Sequence, residues 1–209
     1  VKDMFKYSLN GISLVANNFY GKEPAKLIDH WYDMKLNERT GITLKGEPRP
    51  DIKHPNDSTW DRHFNNLPWM SIGYETQVPP MNTLAFYNAI ANNGVMVKPK
   101  FVKAIMKDGQ VVEEIPTEVL NPAIASPKTI EQIQTILQKV VSDGLAKPAG
   151  SKQFHVSGKT GTAQVSKGSG GYKSGQMQYL VSFCGYFPSE APKYSCIVAI
   201  QKPGLPASG

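Results

Sequence analysis

The stretch Val156-Ser157-Gly158-Lys159-Thr160-Gly161-Thr162-Ala163-Gln164 decides how the rest of this chain is read. It sets a lysine, a hydroxyl and a glycine side by side on what reads as a β-strand. Such a strand can offer its backbone edge to a peptide-like substrate. Lys159 supplies positive charge, Thr160 can hold a carboxylate, and Gly161 leaves room for close approach. The triplet Lys159-Thr160-Gly161 is a weak signal by itself, so its partners elsewhere in the chain carry the decision.

Working outward, the strand is expected over about 154–165, with two apolar segments after it. One is Leu180 to Phe187 and the other Tyr194 to Ile200, joined by Pro188 to Pro192. Both runs are apolar on both faces, which predicts a sheet covered by helices on both sides. Between the first two strands, Lys167 to Gly175 is glycine-rich and reads as a mobile loop. No Walker pattern is present and no helix follows, so this loop is not a phosphate cradle. Tyr172 within it reads as solvated.

Upstream, the pattern is helical and irregular. Ile12, Leu14, Val15, Phe19 and Tyr20 give a short amphipathic helix over 11–20. Pro24 opens another, with Leu27, Ile28, Trp31, Tyr32 and Leu36 at helical spacing. Residues 37–66 read as a proline-rich loop pinned by Trp60. Pro80 starts a helix that Asn93-Gly94 stops. Asp108-Gly109 between alternating segments at 101–106 and 110–115 predicts a hairpin. Ser126-Pro127 opens a helix whose stripe Ile130, Ile133, Ile136, Leu137, Val140 and Val141 ends near Gly144.

The bulk numbers bound the class. A chain of 209 residues, 40% hydrophobic and 19% charged, suits one soluble domain with a real core. No run reaches about 18 apolar residues, and no apolar leader follows Val1. The net charge of +6 comes from lysines spread along the chain. Basic residues clustered with exposed aromatics are missing, which argues against nucleic acid. Cys184 and Cys196 fall on neighbouring strands and read as buried free thiols, with a cross-strand disulfide as the alternative. His30, His54, His63 and His155 are scattered, and no Cys/His cluster has metal-ligand spacing. No metal and no cofactor is expected.

Together the motifs resemble the transpeptidase domain of class B penicillin-binding proteins. Ser8-Leu9-Asn10 matches Ser-x-Asn ahead of a helix, and Ser157 to Gln164 matches the Lys-Thr-Gly strand with both flanks. Trp69 to Glu75, Pro79 to Leu84 and Tyr87 to Gly94 are similar to the family's glycine turn and following helix. Phe183 to Pro188 and Val198 to Pro203 are similar to its next two strands. The resemblance covers nearly the whole chain in order.

That resemblance implies an α+β fold, in which an antiparallel sheet is flanked by helices, incomplete over residues 1–209. The family's sheet has five strands, of which three are expected here. It implies Ser8, Asn10 and Lys159 as catalytic residues. Thr160, Gly161 and Thr162 would bind substrate, with the Thr162 N–H as one oxyanion donor. Ser8 would relay a proton to the leaving amine, and Asn10 would hold the substrate's amide carbonyl. The implied function is cross-linking of peptidoglycan stem peptides by serine acyl transfer at D-Ala-D-Ala, with acylation by β-lactams. Tyr74 and Glu75 read as structural.

Two departures stand out. No serine has a lysine three residues on, so the acylated serine of Ser-x-x-Lys is expected upstream of Val1, and these residues alone are expected to be inactive. The chain also ends at Gly209, where the family continues into a further helix. The parent protein is expected to be a division-type enzyme at the periplasmic face of the bacterial inner membrane, anchored there with division partners. The present residues are expected to be soluble and to self-associate over exposed core. The alternatives are a non-catalytic β-lactam sensor, and a serine β-lactamase or carboxypeptidase. The long loop 37–66 sets the latter two apart from this chain.

Overall fold

The computed structural model describes residues 1–60, 66–165 and 178–203. The glycine-rich segment, Tyr172 and His63 lie outside the described residues. Two compact units are present, one of Val1–Asn10 with Lys128–Gly209 and the other of Gly11–Pro127.

Helix α1 (Lys2–Lys6) belongs to the discontinuous unit. The second unit opens with α2 (Ile12–Tyr20) and α3 (Pro24–Asp33). Pro24 fixes the first φ of α3 without losing a needed N–H. The spacing of Leu27, Ile28, Trp31 and Tyr32 turns one face of α3 onto Ile52, Leu67 and Met70, with Trp60 beside them. The Tyr32 hydroxyl donates to the Ile52 carbonyl at 2.7 Å, which ties the irregular loop to the helix. Inside that loop the Glu47 carboxylate accepts from the Thr40 N–H, the Thr40 hydroxyl and the Gly41 N–H, at 2.6, 2.5 and 3.0 Å. Those bonds replace the regular pairing the segment lacks.

Short strand β1 (Asp51–Ile52) precedes α4 (Asn66–Met70) and pairs antiparallel with β2 (Thr76–Gln77). Lys53 and Glu75 form an ion pair at 2.8 Å beside this pairing. Helix α5 (Pro80–Ala91) buries Ala85, Ala89 and Ile90, and its Asn82 amide donates to the Glu38 carbonyl at 2.7 Å. Next come β3 (Met96–Val97), then β4 (Ala104–Lys107) and β5 (Gln110–Glu114), then β6 (Val119–Asn121), which returns to β3. Positive φ at both Asp108 and Gly109, 50° and 78°, makes the β4–β5 turn of the kind whose twist suits a two-residue hairpin. All of β5 is exposed.

Back in the discontinuous unit, α6 (Pro127–Ser142) buries Ile130, Ile136, Leu137, Val140 and Val141, the stripe read from the sequence. Strands β7 (Ser157–Val165), β8 (Gln178–Phe187) and β9 (Tyr194–Pro203) form an antiparallel sheet in that order. Val140 and Val141 of α6, with Ala146 and Val156, pack against Phe5 of α1 and Phe183 and Phe187 of β8. The mixed α/β architecture with antiparallel sheets is as expected.

One expectation needs correction. The sheet is not covered on both sides among the described residues, because Val198 and Ile200 of β9 are 53% and 57% exposed. The apolar contacts of α6 reach β8, at Phe183 and Phe187, and the β9 run stays open. The cysteines are free, and the register explains why. Cys184 lies opposite Ile197 while Cys196 lies opposite Gly185, so the two thiols belong to opposite faces.

Candidate active site

Ser8 owes its place to the way α1 ends. The Ser8 N–H donates to Phe5 O at 3.2 Å and the Leu9 N–H to Met4 O at 2.8 Å, while Ser8 itself has φ 52°. This is a left-handed helix closure, at the position where glycine is usual. A residue with a Cβ pays about 1–2 kcal/mol for that conformation. In exchange the corner presents a hydroxyl. Ser8 therefore closes α1, whereas a helix N-cap would be the ordinary reading of Ser-Leu-Asn; the N-cap of α2 is Gly11, with no side-chain cap.

The end of α1 is seated on the end of α6. The Leu145 N–H donates to Lys6 O at 3.0 Å, and Lys6 pairs with Asp143 at 3.3 Å. Gly144 makes this approach feasible, since a Cβ there would lie 2.6 Å from Lys6 O and 2.5 Å from Val140 O. Two residues beyond Lys6, the Ser8 hydroxyl meets β7. The Lys159 ammonium donates to Ser8 Oγ at 2.8 Å and to Thr160 O at 2.8 Å.

Lys159 is half-buried on β7, and burial pushes its pKa down from the ordinary lysine value. Directly opposite it in register is Cys184, buried, whose thiol is pushed up to about 12 by burial and by Cys196. That thiol stays protonated at neutral pH and is a poor nucleophile. Gly161 lies opposite Ser182, and a Cβ on Gly161 would sit 2.7 Å from Ser182 Oγ. Bulk at residue 161 would therefore disturb the strand surface. Thr162 is exposed and Thr160 half-buried, while Asn10 is exposed two residues past Ser8.

The structure thus joins Ser8 to Lys159 across 151 residues of sequence. Tyr74 packs edge-on against Trp69 within the second unit, consistent with a structural role. Sequence reasoning passed over Ser157 and Ser189. Ser157 is 1% exposed and donates to Ser189 Oγ at 2.8 Å. Its position two residues before Lys159, hence on the same strand face, was the available signal. A separate groove of about 330 Å³, lined by residues including Gln138, Lys147, Lys152, Phe154 and His155, contains none of the expected site residues.

With this geometry in view, comparison with known proteins is decisive about family. The model of the penicillin binding protein transpeptidase domain matches residues 1–209. Penicillin-binding protein PbpB of Mycolicibacterium smegmatis is 30% identical over 183 residues, covering 83% of this chain and 27% of that protein. A peptidoglycan D,D-transpeptidase FtsI homolog of Mesostigma viride is 25% identical over 150 residues, covering 66% of this chain and 25% of that protein. Penicillin-binding protein 3 of Mycobacterium tuberculosis, solved with ampicillin, superposes with a TM-score of 0.81 at 26% identity, over 97% of this chain and 45% of that one. The chain belongs to the transpeptidase domain family of class B penicillin-binding proteins. It spans about a quarter of the length of these curated relatives.

Proposed function

We propose that this chain supplies the Ser-x-Asn and Lys-Thr-Gly walls of a peptidoglycan D,D-transpeptidase site, acting by serine acyl transfer at D-Ala-D-Ala and trapped by β-lactams. The observation that carries the reading is the 2.8 Å bond from Lys159 to Ser8, which brings the two family motifs into one site. Because Lys159 donates to Ser8 Oγ, the hydroxyl proton of Ser8 is directed elsewhere. It can pass to the amine that leaves when the acyl-serine forms, and Lys159 can then replace it. A lysine held below its usual pKa by burial suits such a relay better than a fully solvated one.

Asn10 then holds the amide carbonyl of the donor peptide. The Thr160 and Thr162 hydroxyls receive its terminal carboxylate next to the positive charge of Lys159, and Gly161 keeps the approach open. The Thr162 N–H is one donor to the oxyanion that develops at the attacked carbonyl. The serine that attacks belongs to a Ser-x-x-Lys motif, and no such motif occurs in these 209 residues. The longer protein is placed at the periplasmic face of the inner membrane, membrane-anchored, with a role in division and division proteins as partners. Among the described residues no helix is long and apolar enough to cross a membrane. The present residues, taken alone, are soluble and self-associate through exposed apolar surface.

Labelling with fluorescent penicillin tests the reading. The 209-residue chain should give no covalent band after denaturation, while a longer chain that includes the Ser-x-x-Lys serine should give one. A band on the 209-residue chain would mean that one of its own serines is the nucleophile. Absence of labelling in the longer chain, with retained reversible binding, would favour a sensor.

A further inference from the structure

We propose that Ser189, on the turn between β8 and β9, is a positioning residue for Lys159 and acts through the buried hydroxyl of Ser157. The proposal rests on the role assigned to Lys159 above. Its starting point is a pair of glycines facing each other in the β7–β8 ladder. Gly158 lies directly opposite Gly185, so two residues with the greatest backbone freedom meet one step before Lys159. They meet tightly. A Cβ on Gly185 would sit 2.3 Å from Ser157 O, and one on Gly158 would sit 2.5 Å from the Phe183 ring. Neither glycine has a side chain to add to the backbone pairing here, so side-chain restraint on this part of β7 comes from the neighbouring residues.

The turn provides it. The Ser189 N–H donates to His155 O at 2.9 Å, and Ser157 Oγ donates to Ser189 Oγ at 2.8 Å, so Ser189 brackets Val156 on both sides. Ser157 and Tyr186, opposite each other in register, are 1% and 0% exposed, so the Ser157 end of this bond is shielded from bulk water and leaving it without a partner is costly. The next residue, Glu190, pairs with His155 and accepts from the Gln138 side chain of α6 at 3.2 Å, which anchors the turn to a long helix. The Lys193 N–H closes the turn on Phe187 O at 3.1 Å. Ser157 and Lys159 stand on the same face of β7. A rotation of β7 about the glycine pair therefore carries the ammonium away from Ser8.

The decisive measurement is the titration of the Lys159 side chain, followed by NMR in the 209-residue chain and in its Ser189→Ala, Ser157→Ala and Ser189→Thr variants. With Ser189→Ala or Ser157→Ala, the titration should move up towards the ordinary lysine value as water reaches the ammonium. Ser189→Thr, which restores a hydroxyl, should return it to the wild-type position. An unchanged titration in both alanine variants overturns the proposal. Should Ser157→Ala fail to fold, Ser189→Ala decides alone, because Ser189 is only half-buried. In the longer chain with the Ser-x-x-Lys serine, Ser189→Ala should slow acylation about tenfold, the scale of loss expected from a small misplacement of a reacting group. Wild-type rates there would also count against Ser189. If the wild-type longer chain is not acylated at all, the functional reading fails, and the Lys159 titration still decides the positioning question.

Discussion

Helices α1, α3 and α5 end in the same left-handed closure, and they differ in what the closing residue does next. At α5 the residue is Asn93, φ 54°, followed by Gly94, whose N–H donates to Ala89 O at 2.8 Å. At α3 it is Lys35, φ 62°, whose ammonium pairs with Glu38, three residues on, at 3.0 Å. At α1 it is Ser8, φ 52°, and its hydroxyl receives a bond from a strand 151 residues away. Asparagine tolerates this backbone region, whereas serine gains nothing local from it. Lys35 adopts the same strained region for a surface pair, so the strain alone marks nothing; what sets Ser8 apart is the distant strand its side chain reaches.

The comparison can be broken most forcefully at Gly144. Gly144→Ala should cost about 1–3 kcal/mol, the range for overpacking, because its Cβ would meet both Lys6 O and Val140 O. Chemical denaturation measures that loss, and the end of α1 should lose protection in hydrogen exchange with it. A smaller penalty, about 1–2 kcal/mol, is expected for Gly109→Ala in the hairpin, where φ is 78° but nothing crowds the site. Because Gly144 has no left-handed φ, a negligible loss at Gly144 beside a clear one at Gly109 would show that its neighbours give way and that close approach is not limiting there.

Ser8→Gly sharpens the contrast by reversing sign. It should raise stability by about 1 kcal/mol through relief of the left-handed strain, while removing the partner of Lys159 and lowering acylation in the longer chain. Gain of stability with loss of activity is the pattern of a residue kept for function. Asn93→Gly, at the matching place in α5, should change stability less, because asparagine already tolerates this backbone region. If both glycine variants behave alike, Ser8 is an ordinary helix end.

The smallest effect is one of pH. Lys159 gives up its proton at lower pH when folded than when unfolded, so over that interval the unfolded chain binds more protons. Stability then rises with pH between the lowered value and the ordinary lysine value of 10.5, and the penalty for burying charge is greatest below both. Lys159→Met should remove this contribution, leaving a flatter stability profile towards alkaline pH.

Much of the local structure was legible. Pro24, Pro80 and Pro127 announced helix starts, Asp108-Gly109 announced a hairpin, and the apolar stripe from Ile130 to Val141 gave α6. These are signals carried within one or two turns of chain. Pairings such as Asp51 with Gln77, or Met96 with Asn121, were invisible because two- and three-residue strands have no periodicity to read. The open run on β9 departs from a sheet covered on both sides but fits the exposed core expected of an incomplete fold, since an apolar pattern shows that a face prefers cover, not that cover is present.

The site divides in the same way. Lys159, Thr160 and Gly161 stood out through chemistry concentrated in one strand. Ser8 and Asn10 emerged only through the resemblance, since nothing local distinguishes Ser-Leu-Asn from a helix cap. Ser157 and Ser189 went unnoticed, because a serine at a strand start looks solvated until its burial is known.

The discontinuous unit has a consequence for biosynthesis. Lys159 leaves the ribosome 151 residues after its partner Ser8, with all of Gly11–Pro127 made in between. At about 5–20 residues per second that delay is roughly 8–30 s. Throughout it residues 1–10 lack the β7 partner that Lys159 offers to Ser8, so nascent chains halted before β7 is complete should leave this contact unmade and the end of α1 more open to protease.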